Sequence, residues 1–264
     1  MKGKYRGITV AAGFCLIIGL LLAGSSLPGI AQAKTSEAYA PSAATLDHYA
    51  QLRDLEARLD AAVREEGWLR YSYTQRMQAE RNPYYSADAQ MPAEAEFEIW
   101  FHFNAEGLVD QQATFLLKDG KRTLTEIYAH GIYRSMAESF TSLPQQPYSP
   151  SFYFYLGRED PRLAAQEGVH LTFQRGAPAG ENLTRFVIER QIGSDSPLAG
   201  SAEPLPAIRH VLWVDTQTAQ PVRVENYQLL EDGRLDKFHE ISQIEYQRMD
   251  SLPQTVQSYF DDIQ

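Results

Sequence analysis

Residues 209–247 read RHVLWVDTQTAQPVRVENYQLLEDGRLDKFHEISQIEYQ, and this stretch decides the fold class. Three runs of alternating apolar and polar residues, 209–215, 222–230 and 235–247, are divided by turn spellings. Gln217, Thr218 and Ala219 follow the first run and Asp232-Gly233 the second. Alternation sends successive side chains to opposite faces of a strand, and Asp-Gly favours the tight turns that join antiparallel neighbours. The stretch is expected to be a β-meander.

The same period extends towards the N-terminus. Leu69, Tyr71 and Tyr73 alternate with Arg70, Ser72 and Thr74 in a strand over 68–77. In the next strand Phe97, Ile99, Phe101 and Phe103 share one face, with Glu98, Trp100 and His102 on the other. Further strands are expected over 112–118, closed by Asp119-Gly120, and over 122–129, 131–136, 152–156, 170–175 and 183–191. Segments 80–94, 142–150 and 193–206 read as loops, the first two combining Pro with Tyr as a lid or as a stiffened connection.

Helical spacing occurs in three places. Leu46, Tyr49, Leu52, Leu55, Leu59 and Val63 recur every three or four residues, predicting an amphipathic helix over 46–66 with Thr45 as N-cap and Gly67 as its stop. Its other face, with Arg53, Asp54, Glu56, Arg58, Asp60 and Arg64, reads as a solvated surface. Asp160, Pro161 and Gly168 frame a short helix over 162–167, and another is expected to start near Pro253, returning Val256, Tyr259 and Phe260 to the sheet. The expected fold class is α+β, mainly antiparallel β: an unclosed (half) β-barrel wrapped around the N-terminal amphipathic helix.

Composition narrows the function. The 264 residues include 24 Lys+Arg, 34 Asp+Glu, 15 Tyr, 12 Phe and one Cys. That is too aromatic for a disordered chain and, at net charge −10, too acidic for a nucleic-acid binder. One Cys excludes internal disulfides, iron–sulfur clusters and Cys-based zinc sites. Residues 1–33 read as a secretory signal peptide: Lys2, Lys4 and Arg6, an apolar run from Ile8 to Ala23, and the small-x-small ending Ala31-Gln32-Ala33. The alternative is an uncleaved anchor. Cleavage would leave a chain with net charge −13 and no Cys, in which 34–44 is a flexible leader and 45–264 a single domain.

Catalytic spellings are absent. No Gly-x-Ser-x-Gly, His-Glu-x-x-His or Gly-x-x-x-x-Gly-Lys occurs, and Ser194 lies outside any strand-turn-helix context. His48, His102, His130, His170, His210 and His239 are scattered without ligand-like spacing, although two or three could meet in the folded sheet. Neither a metal nor a cofactor is expected.

The run Val211-Leu212-Trp213-Val214-Asp215, then Pro221-Val222-Arg223-Val224-Glu225, then Asp232-Gly233, together with the order of elements across residues 46–262, resembles the lipoprotein-carrier superfamily. These LolA-like half-barrels include periplasmic lipoprotein carriers, cell-wall lipid carriers and RseB-type sensor domains. The resemblance implies a capped, unclosed barrel that is not an enzyme and that holds an acyl group on apolar residues. In that signature Trp213 would plug the sheet, Asp215 would open the turn and Pro221 would begin the returning strand. Some carriers control opening with a buried Arg, for which Arg70 is a candidate by position alone.

The leading expectation is an exported, extracytoplasmic protein, in the periplasm or cell envelope, that shelters a lipid, a lipoprotein acyl chain or another hydrophobic small molecule. Its expected lining residues are Phe97, Ile99, Phe101, Phe103, Phe115, Leu117, Trp213 and Val224. The alternative is an envelope-sensing module of the same fold that binds a membrane protein. A hydrolase with an unrecognised site ranks last.

Overall fold

The structure, a computed structural model, describes residues 39–78, 81, 93–135, 159–176, 180, 182–193, 207–230 and 232–261. The expected signal segment, the 152–156 strand and nearly all of the three expected loops lie outside these residues.

The fold is α+β and mainly antiparallel. Among the described residues, ten strands form one open sheet: β1 (Gly67–Met77), β2 (Glu94–Phe103), β3 (Val109–Lys118), β4 (Lys121–Ala129), β5 (Ile132–Ser135), β6 (Val169–Arg175), β7 (Leu183–Ile192), β8 (Ile208–Asp215), β9 (Pro221–Leu229) and β10 (Leu235–Met249). Their spatial order is β5-β4-β3-β2-β1-β10-β9-β8-β7-β6, so β1 joins two meanders at the centre, and β5 and β6 are the unclosed edges. Every pairing is antiparallel.

Turn chemistry explains much of this order. Asp119 and Gly120 both take positive φ, 52° and 72°, as the tightest hairpin turn requires. His130 and Gly131 do the same at 53° and 77° between β4 and β5, a hairpin whose His-Gly spelling is a weaker signal than Asp-Gly. Asp215 opens the β8–β9 turn through its Oδ1, which accepts from the backbone N–H of Gln217 at 2.8 Å and of Thr218 at 2.9 Å.

Helix α1 (Ala43–Val63) starts and ends three residues earlier than its periodicity suggests. Ser42 is the N-cap, its hydroxyl accepting from the N–H of Thr45 at 3.1 Å, so Thr45 sits inside the first turn, buried. Gly67, at φ 112°, opens β1 instead of closing the helix. Helix α2 (Pro161–Gln166) carries its Asp160 cap and ends before Gly168 at φ 72°. Helix α3 (Gln254–Asp261) follows Pro253.

The two faces of the sheet bury different cores. On one face Leu52, Leu55, Leu59 and Val63 of α1 pack with Leu69, Tyr71, Ile99, Phe101, Phe103, Leu171, Phe173, Phe186, Ile188, Leu212, Val214, Val224 and Ile241. On the other, Val256 and Phe260 of α3 pack with Trp100, Ala113, Phe115, Ile127 and Ala129. The charged side of α1 departs from a plain solvated surface. Glu56 is buried and paired with Arg53, while Arg58 donates to the carbonyls of Thr216 and Gln217 and Arg64 to that of Gly107. Arg248 of β10 returns a bond to the Val63 carbonyl at 2.8 Å, so α1 is tied to the turns at one end of the sheet.

Candidate ligand-binding face

Alternation along each strand and register between strands decide which side chains can meet. Phe97, Ile99, Phe101 and Phe103 face α1, as does Val224, which pairs with Leu212 across β8 and β9. Phe101, Phe103 and Val224 are fully packed, whereas Phe97 is half-buried and stacks on Tyr73, with ring centroids 5.1 Å apart and planes 20° apart. This pair continues a row through Tyr71 (5.5 Å from Tyr73) to Tyr246 (4.8 Å from Tyr71). Burial raises the phenol pKa of Tyr246, with Asp60 adding to the shift.

The other three expected lining residues point the opposite way. Glu98 pairs with Phe115 and Trp100 with Ala113, so Phe115 and Leu117 belong with Trp100 under α3, where Tyr259 packs edge-on against Phe115 at 5.3 Å. Trp213 lies between Leu212 and Val214, both of which face α1, so its ring emerges on the far face. Arg185 lies over it at 5.8 Å. No one surface is lined by all eight residues.

Arg70 is also on the face away from α1. With Arg122 it clamps Glu98, a wholly buried carboxylate: Arg70 Nε lies 2.8 Å from Oε2, Arg122 Nε 2.7 Å from Oε1, and Trp100 Nε1 donates to Oε1 at 2.8 Å. Burial alone would raise the pKa of Glu98, but the hydrogen bonds from Arg122, Trp100 and Arg70 outweigh it and hold the carboxyl below the usual range.

The α1 face also carries polar residues that periodicity did not single out. His210, Asn226 and His239 are adjacent across β8, β9 and β10, and all three are buried. His210 Nδ1 lies 2.6 Å from Asn226 Oδ1, and Asn226 Nδ2 lies 2.8 Å from His239 Nδ1. Desolvation lowers both imidazole pKa values to about 4, so both rings are neutral at pH 7. Beside them on β7, Arg190 follows the alternation of Phe186 and Ile188 onto the same face, and its field further lowers the pKa of His210. The Nε–H of Arg190 is buried and meets no acceptor among the described residues.

The remaining histidines are separate. His48 reaches the Phe173 carbonyl, His102 contacts Asp110 at 2.6 Å and His170 stacks on Tyr39 at 4.1 Å. Among the described residues no group of three or more His, Cys, Asp or Glu is placed to hold a metal ion, and no helix is long and apolar enough to cross a membrane. No protein-family model matches the sequence, and neither does any curated protein.

Proposed function

We propose that the open sheet is a half-barrel wrapped around α1, and that the chain is an exported, non-enzymatic carrier that shelters a lipid, a lipoprotein acyl chain or another hydrophobic molecule on its α1 face. The observation carrying this reading is the aromatic row Tyr246–Tyr71–Tyr73–Phe97. At its Tyr73–Phe97 end both rings stay half-buried while their neighbours Phe101 and Phe103 are sealed by α1. Aromatic surface left partly open beside a closed core is what an apolar ligand covers at the least cost in rearrangement. The mature chain's net charge of −13, expected on cleavage, disfavours adsorption to anionic bilayers and favours handling single molecules.

The test is to express the chain with its N-terminal segment, purify it without detergent from the extracytoplasmic fraction, and extract it for mass spectrometry. A defined lipid near one per chain supports the carrier. An empty, well-folded protein sinks it and turns the search to a membrane-protein partner of a sensing module.

A further inference from the structure

We propose that the ligand of the α1 face is an amphiphile with an anionic head, a carboxylate or a phosphate, which the Arg190 guanidinium receives at the His210–Asn226–His239 end of the sheet. This rests on the carrier reading and adds the chemical class of the ligand to it.

Three observations converge on Arg190. Its position is fixed by two uninterrupted pairings, Arg190 with Leu171 of β6 and with Ile208 of β8, and both partners are sealed core residues at 1% exposure. Arg190 itself is half-buried, but its Nε–H is wholly buried, which is costly without an acceptor, and it meets none among the described residues. Glu159 is a described carboxylate that feels the charge of Arg190. Desolvation is the largest influence on Glu159 and leaves its pKa raised against the pull of Arg190.

Two other arginines on this face are engaged among the described residues. Arg175 donates to Gln51, and Arg248 donates to Val63 while lying over Phe103. On the reverse face Arg209 is committed to Glu189 and Arg223 to Glu225 and Glu240. The histidine row is neutral at pH 7, so it adds hydrogen-bonding polarity beside Arg190 without adding charge. The edge of a guanidinium that includes Nε matches two oxygens of one carboxylate or phosphate, which is why this group suits an anionic head. From β7 to β1 the sheet crosses four strand spacings, about 19 Å. The register also offsets Tyr73 from the Arg190 row by about six residues along the strands, about 20 Å, so an acyl chain with its head at Arg190 runs over the apolar residues between them towards the aromatic row without reaching its far end.

The experiment measures binding of oleate, oleoyl lysophosphatidate and methyl oleate to the purified full chain at pH 7.5 by titration calorimetry. It is repeated with Arg190→Gln and Arg190→Lys. The expected result is that one or both anionic amphiphiles bind at least about 10-fold more tightly than the ester, and that Arg190→Gln removes this preference. The tighter of the two anions identifies the head. Arg190→Lys should keep part of the preference, because it keeps the charge and loses the planar fork. Equal binding of ester and anions by the unmutated protein overturns the anionic-head proposal and leaves the carrier standing, and this comparison needs no variant to fold. A preference that survives in Arg190→Gln also overturns it. Binding of none of the three overturns both readings for single-chain amphiphiles.

Discussion

His210 Nδ1 lies 2.6 Å from Asn226 Oδ1, within a buried row that His239 completes from the next strand. With the amide oxygen accepting from His210 and the amide nitrogen donating to His239, one imidazole uses Nδ1 as a donor and the other as an acceptor, as two neutral rings allow. Both rings have folded-state pKa values near 4, against 6.5 for an exposed imidazole. The unfolded chain therefore binds more protons than the folded one between these values. Stability should fall as pH drops from about 6.5 towards 4 and be insensitive to these rings above 7. Each ring contributes on the order of 3 kcal/mol to that loss. Urea unfolding at pH 7.5 and 4.5 should show the decline, and His210→Gln combined with His239→Gln should flatten it. A pH slope unchanged in the double variant would count against this account.

Glu98 anchors the reverse face. Glu98→Leu removes the acceptor shared by Arg70, Arg122 and Trp100, and breaking a buried ion pair in this way costs about 3–5 kcal/mol. Because Arg70 and Arg122 are part-exposed and can recover water, the lower end of that range is expected. A loss below about 1 kcal/mol in chemical denaturation would mean that the clamp is energetically idle.

Phe103 and Phe97 share a face but not a role. Phe103→Ala opens a cavity in a sealed core and should cost about 3–5 kcal/mol. Phe97→Ala, at the half-buried end of the aromatic row, should cost about 1–2 kcal/mol while weakening hydrophobic-ligand binding several-fold. Equal destabilisation by the two, with binding untouched by Phe97→Ala, would place Phe97 in the packed core.

The last helix is a lid on Trp100 and Phe115. Val256, fully buried, is the contact to break: Val256→Asp should lower stability by about 3 kcal/mol or more and expose the aromatic surface to a dye such as ANS. Phe115→Ala should likewise destabilise without altering ligand selectivity, since its ring is under α3 and away from α1. A selective loss of binding in Phe115→Ala would put the ligand on the reverse face.

Local chemistry wrote most of the strands into the sequence. Alternation marked every described strand to within a few residues, and Asp119-Gly120, Asp215 and Asp160-Pro161 fixed their turns and cap through short-range geometry. The start of α1 was less legible because Ser42 and Thr45 are both competent caps, and burial of the Thr45 side chain decides between them. The element list, the antiparallel class and the two-faced character of each strand were therefore legible in the chain itself. Which face of one strand joins which face of the next is set by strand register in the folded sheet. Irregularities such as that between His102 and Phe103 shift register by a residue, and one residue turns a side chain to the opposite face. The uninterrupted pairing of Phe97 with Leu116 and of Glu98 with Phe115 puts Phe115 and Leu117 across the sheet from Phe97, and the pairings of His210 with Asn226 and of Asn226 with His239 line those three up beside Arg190.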